Sequence, residues 1–150
     1  AEWEYAAKGR PRFLQEDLTG KKAIDLYPDY AGADRLETCG WFDGNNDVEP
    51  RSVGLKAPNE LGLYDMSGNV LEWCNDWYDK DTYKNRKEPV PKNPVGPDSG
   101  VDRVLRGGNS WLNAGRCRSA YRGHDGPTTR SVHIGFRLVL SPSSGSGTSG

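Results

Sequence analysis

The stretch Pro58–Asp79, PNELGLYDMSGNVLEWCNDWYD, joins a Gly/Asn turn to the densest group of aromatic residues in the chain. Asp65 and Glu72 flank Gly68 and Asn69 here, so two carboxylates and several turn carbonyls can converge. Oxygen-only sets of this kind suit Ca²⁺, which takes roughly six to eight such ligands. Alternatively, Asp65 and Asn69 stabilise an Asx-type turn and Glu72 pairs with an arginine. From these residues alone, the second interpretation is favoured.

The composition favours one loop-rich domain. The 150 residues include 19 Gly and 10 Pro, and only 34% are hydrophobic, yet five are Trp and seven are Tyr. Disordered chains are poor in aromatic residues, so these side chains predict a packed core within an α+β fold. The chain has no run of about 18 apolar residues, and we therefore expect no transmembrane segment.

The charge is unevenly distributed along the chain. Residues 103–137 carry seven Arg, no Lys and one acid, Asp125, which gives a charge of +6. Because the whole chain has a net charge of −1, the remaining residues carry −7. A basic segment is typical of proteins that bind nucleic acid or acidic ligands. Without a Lys-rich face, the favoured interpretation is that these arginines bond to backbone carbonyls and buried carboxylates, and nucleic acid is not the expected partner.

The cysteines and histidines form no zinc motif. Cys39, Cys74 and Cys117 are far apart, and His124 and His133 lie nine residues apart in an irregular segment. A disulfide between two of the three cysteines stays open. We expect each cysteine to be a small buried residue.

The two ends of the chain differ in character. AEWEYAAKG places Trp3, Ala6 and Ala7 at helical spacing, and a following glycine is expected to end the helix. Because the sequence starts within this helix, we expect further chain upstream. Residues 141–150 form a Gly/Ser tail that cannot pack, so the folded domain is expected over residues 1–140.

Three short strands are predicted in the C-terminal third of the chain, in VDRVLRGG, CRSAYR and IGFRLVL. Alternation from Ile134 to Leu140 predicts a half-buried strand. Phe136 is expected in its core, where truncation to Ala would cost about 3–5 kcal/mol, and Trp73 is expected to be buried as well. The stretch directly before this strand, RGHDGPTTRSVH at residues 122–133, has neither a period nor an apolar face.

Five segments resemble, in the same order, motifs of the formylglycine-generating enzyme (sulfatase-modifying factor) superfamily. They are AEWEYAAKG, PNELGLYDMSGNVLEWCNDWYD, RVLRGGNSW, CRSAYR and IGFRLV, and they span residues 1–140. The resemblance implies a variant of the C-type lectin fold, an α+β, loop-rich domain with short antiparallel strands and few long helices. It also implies that the N-terminal portion of that fold lies upstream of AEWEYA and is absent from this sequence.

The resemblance also implies a calcium site. In the family, a structural Ca²⁺ is held by an Asn or Asp side chain, two backbone carbonyls and a Glu. These positions correspond to Asp65, Gly68, Val70 and Glu72. Asp in place of Asn keeps an oxygen ligand and adds charge. With the resemblance, structural calcium becomes the favoured interpretation.

The catalytic thiols of the family are not matched. Formylglycine-generating enzymes oxidise a substrate Cys with a pair of copper-binding thiols that lie between the GG-aromatic motif and the following RC. Here that interval is NSWLNAGRC, and its one thiol, Cys117, corresponds to a structural Cys of the family. A Cu(I) site needs thiolate ligands, and iron-dependent sulfoxide synthases of this fold take His and Glu ligands from another domain. We therefore expect neither copper nor iron, and no enzymatic activity.

The sequence is similar to another branch of the superfamily, the variable proteins of diversity-generating retroelements. Their lectin-type domain carries a region rewritten by adenine-specific mutagenesis between fixed landmarks, which are matched here by RGGNSW, CRSAYR and IGFRLV, with Asn109 as a departure. Randomised AAC codons become NNC, which cannot encode Lys, Glu, Gln, Met or Trp. Residues 112–133 contain none of these types, although they make up 23 of the other 128 residues. The codon pattern therefore favours diversified sequence.

This resemblance predicts a non-enzymatic, receptor-type surface for a protein or another macromolecule, in proteins that include surface-anchored and phage-borne members. The core beneath this surface is expected to contain Trp111, Tyr121, Ile134, Phe136 and Leu138, and the framework aromatic residues are expected to act as anchors. The alternatives are an oxidase or related enzyme of the family, and an invariant structural or binding member. The predicted ligand-binding residues are Trp111, Leu112, Asn113, Arg116, Tyr121, Gly123, His124, Asp125, Thr129, Arg130, Ser131, Val132 and His133.

Overall fold

The computed structural model describes residues 2–9, 28–84, 94 and 96–140. Within these residues no helix is long and apolar enough to cross a membrane. The predicted Gly/Ser tail lies outside the described residues. The elements are helices α1 (Glu2–Lys8) and α2 (Leu36–Cys39), a 3₁₀ turn at Ala114–Arg116, and strands β1 (Leu71–Trp77), β2 (Arg103–Arg106), β3 (Gly123–Asp125) and β4 (Ile134–Gly135).

Helix α1 confirms the helix predicted from the first residues. Gly9 ends it with a φ of 72°, a conformation that costs glycine little, and its N–H donates to the Ala6 carbonyl. Ala7 is fully buried against Ala31 and Met66, and Trp3 packs beside them. The apolar face of this short helix therefore helps to form one of the two hydrophobic clusters of the described residues.

The strands form one mixed sheet in the order β3-β2-β1-β4. β1 pairs antiparallel with β2, and β2 pairs antiparallel with β3. β4 lies parallel to β1, so the expectation of antiparallel strands alone was wrong at this edge. The physical reason is the connection, because the chain leaves β3 on one side of the sheet and returns beside β1 on the other. The α+β, loop-rich fold predicted from the sequence is confirmed.

The strand predictions are confirmed only in part. β2 lies where VDRVLRGG predicted it, but residues 117–122 form turns, in which local bonds join the Tyr121 N–H to the Arg118 carbonyl. The buried guanidinium of Arg106 donates to the carbonyls of Ala120 and Tyr121, so these groups are not available to a strand. β1 and β3 were not predicted, and β3 begins at Gly123, inside the aperiodic stretch.

The apolar residues after β4 are not core residues, contrary to the prediction. Phe136 is 73% exposed and Leu138 is 87% exposed, and Trp111, also expected in the core, is 64% exposed. β4 pairs with β1 only at Ile134 and Gly135, so the alternation that follows has no neighbouring strand to pack against within the described residues. Tyr121, Ile134 and Trp73 are half-buried.

The second hydrophobic cluster joins α2 to the segment after β2. It contains Leu36, Cys39, Phe42 and Cys117. Gly108 allows the segment after β2 to pack closely against Cys117: its φ is 72°, and a Cβ there would lie 2.6 Å from the Cys117 sulfur. The three cysteines are free thiols, two of them in this cluster, so the predicted role of small buried residues holds for Cys39 and Cys117.

The Gly68–Asn69 turn connects three loops. Gly68 has a φ of 82°, and a Cβ there would collide with the Trp41 carbonyl. The side chain of Asn69 accepts from the Arg51 N–H at 2.9 Å and donates to the Arg51 carbonyl at 3.1 Å. The Asn69 carbonyl accepts from the Ser110 N–H at 2.9 Å. This turn therefore fixes the position at which the chain leaves β2.

We predict opposite results for two apolar truncations. Met66→Ala should lower the free energy of unfolding by about 2–5 kcal/mol, because Met66 is 1% exposed and its loss leaves a cavity. Phe136→Ala should change it by less than about 0.5 kcal/mol, because the ring is mostly in solvent. Chemical denaturation of both variants measures the difference. A large loss in Phe136→Ala would contradict the exposed position of the ring.

Candidate functional site

An open cavity of about 540 Å³ lies beside β2 and β3. Nine of the thirteen predicted ligand-binding residues line it, while Asn113, Thr129, Arg130 and Val132 do not. The predicted residues that line it are Trp111, Leu112, Arg116, Tyr121, Gly123, His124, Asp125, Ser131 and His133. Six further lining residues were not predicted, namely Leu71, Tyr78, Leu105, Asn109, Arg122 and Ile134.

Strand β3 brings the first part of the aperiodic stretch to the cavity. It pairs with β2 so that His124 lies opposite Val104 and Gly123 lies opposite Leu105. Val104 and Leu105 are buried, and side chains on a strand alternate between the faces of the sheet. Pairing with β2 therefore fixes the edge strand β3 and, with it, the position of the His124 side chain.

The His124 ring is held by two contacts that the sequence analysis missed. It stacks on Tyr78 with a centroid distance of 4.0 Å and an interplanar angle of 23°. Its Nδ1 atom lies 2.7 Å from Oδ2 of Asp102. Tyr78 directly follows β1 and Asp102 directly precedes β2, so only the pairing of these strands brings the three residues together. No local sequence pattern could have indicated this contact.

Trp111 and His133 also line the cavity. Their ring centroids are 5.9 Å apart, and the Trp111 N–H donates to Oδ1 of Asn109 at 3.0 Å. The His133 N–H donates to the Ser131 hydroxyl at 3.1 Å, and the His133 carbonyl accepts from the Leu71 N–H. The Nδ1 atom of His133 is buried without a hydrogen-bond partner among the described residues.

Asp125 and Thr129 shape the loop that borders the cavity. Oδ1 of Asp125 accepts from the Gly126 N–H and from the Thr129 hydroxyl, both at 2.7 Å. Thr129 thus supports the loop and does not line the cavity. Arg130 and Val132 are exposed on the same loop, outside the cavity wall.

The seven arginines of residues 103–137 fall into two groups. Five of them bond to backbone carbonyls, as the composition predicted, namely Arg103, Arg106, Arg118, Arg122 and Arg137. Arg106 also pairs with Glu4 at 2.6 Å, and Arg137 with Glu72 at 2.5 Å. For the side chains of Arg116 and Arg130 we find no partner within the described part of the chain.

The thiols are poorly suited to nucleophilic or copper chemistry. Burial raises the pKa of Cys39 and of Cys74 to about 11 and that of Cys117 to about 12. The thiolate is the reactive and metal-binding form, and it is therefore disfavoured at neutral pH. None of the residues that line the cavity is a cysteine.

The residues predicted to bind calcium make other contacts. Oε2 of Glu72 accepts from Trp3 Nε1 at 2.7 Å and from Arg137 Nε at 2.8 Å, and Oε1 accepts from the same guanidinium. Oδ2 of Asp65 accepts from the Gly54 N–H at 2.8 Å, while its Oδ1 is buried without a partner among the described residues. A cation at Glu72 would compete with Arg137, so these contacts fit the ion-pair interpretation better than a Ca²⁺ ligand set.

Together, these observations define a loop-rich α+β domain with an open cavity lined largely by residues 109–134. The family model of the sulfatase-modifying factor enzyme 1-like domain matches residues 1–142, and the chain belongs to this family. The family resemblance inferred from the five sequence motifs is thereby confirmed.

The chain is similar to curated relatives of several kinds. The chain is 33% identical to a formylglycine-generating enzyme of Thermomonospora curvata over 95% of this chain and 48% of that protein. It is 46% identical to the serine/threonine-protein kinase pkn1 of Chlamydia pneumoniae over 93% of this chain and 20% of that protein. The chain thus spans about half or less of the length of these relatives.

Among solved structures, the chain is similar to the Treponema denticola variable protein 1. The two are 33% identical, with a TM-score of 0.70 over 90% of this chain and 43% of that chain. This similarity confirms the closeness to the variable proteins that the three landmarks indicated.

Calcium at Asp65 and Glu72 stays a prediction, and chelation checks it. If Asp65 and Glu72 hold a calcium ion, EDTA should lower the melting temperature of the protein, because the ion stabilises only the folded state. Glu72→Ala then removes the sensitivity to EDTA. A melting curve that EDTA leaves unchanged is the result expected when Arg137 alone neutralises Glu72.

Proposed function

We propose that this protein is a non-enzymatic, ligand-binding variable protein of a diversity-generating retroelement. It binds a protein or another macromolecule through the cavity and its rim. The observation that carries the proposal is that none of the thirteen predicted binding residues is buried and that nine of them line one cavity. Similarity to a variable protein of known structure supports the same assignment.

The burial of residues in the first two landmarks, RGGNSW and CRSAYR, supports a surface that tolerates sequence change. Every residue from Arg106 to Ser110 is buried, as are Cys117 and Ser119. Between these positions, residues 111–116 are exposed or half-buried, and so are residues 123–133. Because stability depends mainly on buried groups, this division lets the surface vary while the fold is retained.

An oxidase of the formylglycine-generating type is the second candidate, favoured by similarity to the Thermomonospora curvata enzyme. Against it stand the absence of cysteine from the cavity lining and the raised pKa of all three thiols. Binding needs neither a thiolate nor a metal, so the available side chains suit it better.

The proposal predicts that the exposed binding positions can be changed together without loss of the fold. A variant with new residues at Asn113, Arg116, His124, Arg130, Ser131 and Val132 should keep a cooperative melting transition, because exposed positions each contribute within about 0.5 kcal/mol. Asp125, Thr129 and His133 are left unchanged, because they are half-buried. The matched control replaces the buried Asn109, Ser110 and Ser119, and it should melt far lower or fail to fold.

A display experiment tests the binding role directly. The same six exposed positions are encoded by NNC codons, displayed on phage and selected against hen lysozyme. We expect binders whose affinity depends on the new residues at the cavity rim. A control library varies six exposed residues elsewhere, and equal yields from both libraries would contradict a specialised surface. The control positions are Ser52, Val53, Leu55, Ala57, Leu61 and Lys80.

An activity assay separates the binder from the oxidase. We expect no copper-dependent oxidation of a Cys-containing peptide by the unmodified protein, and Cys117→Ser should change only its stability. Copper-dependent conversion of the peptide that is lost in Cys117→Ser would establish the enzyme instead.

A further inference from the structure

We propose that the cavity recognises a carboxylate side chain of a protein partner, presented next to an aromatic or aliphatic side chain. This inference rests on the proposed binding function and specifies the chemistry of the ligand. It follows from the balance of hydrogen-bond donors and acceptors around the cavity, from its apolar wall and from its size.

The cationic groups of the cavity are incompletely paired. Arg116 lines the cavity, and its guanidinium has no partner among the described residues. Arg122 lines it as well, stacked 5.1 Å from the Tyr78 ring, and its one hydrogen bond within those residues is a 3.4 Å contact to the Asp79 carbonyl. Guanidinium groups present several donors in a planar fork that matches a carboxylate.

The acids near the cavity are already engaged. Oδ1 of Asp125 accepts two hydrogen bonds from its own loop, and Oδ2 of Asp102 faces Nδ1 of His124. Asp125 is the single acidic residue that lines the cavity, against two arginines. Nδ1 of His133 is buried without a partner in the described structure. The cavity therefore presents two incompletely paired guanidinium groups against one carboxylate, and an anionic group would correct this imbalance of charge.

The other part of the cavity is apolar. Trp111 stands on the rim with 64% of its surface exposed, and Leu112, Leu71 and Ile134 line the wall. Exposed Trp is a frequent anchor of protein interfaces. The volume of about 540 Å³ lies within the range of roughly 300–1,000 Å³ that is typical of ligand pockets. It suits one or two side chains of a partner.

A polyanion fits less well than a single carboxylate. Residues 103–137 contain no Lys, and the remaining residues carry a charge of −7 against +6 for this segment. Nucleic-acid binding depends on many phosphate contacts by Lys and Arg, and an acidic remainder opposes the approach of a long phosphate backbone. One carboxylate needs only the local pair of arginines.

The test is an NMR titration of the ¹⁵N-labelled protein with three blocked peptides. They are acetyl-Gly-Trp-Glu-Gly-amide and its counterparts with Gln or Lys in place of Glu. We expect the Glu peptide to shift resonances of cavity residues at millimolar concentration. The Gln peptide should bind roughly tenfold more weakly, because it loses a charge-assisted hydrogen bond, and the Lys peptide weaker still. Indole-3-acetate serves as a free carboxylate for comparison.

Three variants locate the effect. Arg116→Gln and Arg122→Gln should each weaken binding of the Glu peptide several-fold, whereas Arg35→Gln removes the same charge at an exposed position that does not line the cavity and should leave binding unchanged. Equal weakening by all three would overturn the inference, since net charge alone would then explain binding.

The peptide series gives further outcomes that decide the matter. Equal or tighter binding of the Gln or Lys peptide, or no shift with any peptide, would overturn carboxylate recognition. Binding of indole-3-acetate without binding of the Glu peptide would overturn the protein partner. None of these results affects the display experiment, whose failure would instead count against the binding function itself.

Discussion

The buried carboxylate of Glu72 is the interaction on which the rest of the structure depends. It is 5% exposed, and it joins three distant parts of the chain: Trp3 of α1, its own strand β1, and Arg137 after β4. A buried charge that loses its partner is strongly destabilising. The hydrogen bonds that Arg137 donates to Glu72 raise the pKa of Arg137. Opposite Glu72 on β2, Arg106 pairs with Glu4, so a hydrogen bond to β1 and an ion pair to β2 hold α1.

These buried ion pairs and hydrogen bonds hold the scaffold, whereas the segments between the landmarks present their side chains at the surface. Buried polar contacts fix the sheet, α1 and the Gly68–Asn69 turn. The segments between the landmarks therefore contribute little to the stability of the fold. The rings that support the cavity, Tyr78 and Tyr121, come from outside the aperiodic stretches or from a landmark. A rigid frame that presents exchangeable side chains lowers the entropic cost of binding.

The features that could be predicted from the sequence are those that depend on a local pattern of residues or on several motifs in combination. Helix α1, strand β2 and the family fold belong to this part, as do nine residues of the cavity wall. Pairings between distant segments were not predictable. His124 meets Tyr78 and Asp102 only through strand register, and Glu72 meets Arg137 across 65 residues. Alternation placed Phe136 in the core, because a periodic pattern indicates which side chains share a face but not whether anything covers that face.

The distribution of the arginines links the scaffold to its proposed use. Four of the five arginines that bond to carbonyls lie in the landmark segments RGGNSW, CRSAYR and IGFRLV, and the fifth, Arg103, lies in β2 just before them. These bonds hold the backbone. Arg116 and Arg130 lie in the segments between the landmarks, and neither side chain has a partner within the described residues. A residue that is free to vary cannot also be required for folding, so a diversified segment should contain only arginines without structural bonds. A conventional loop has no such restriction, and the observed division therefore favours the variable surface.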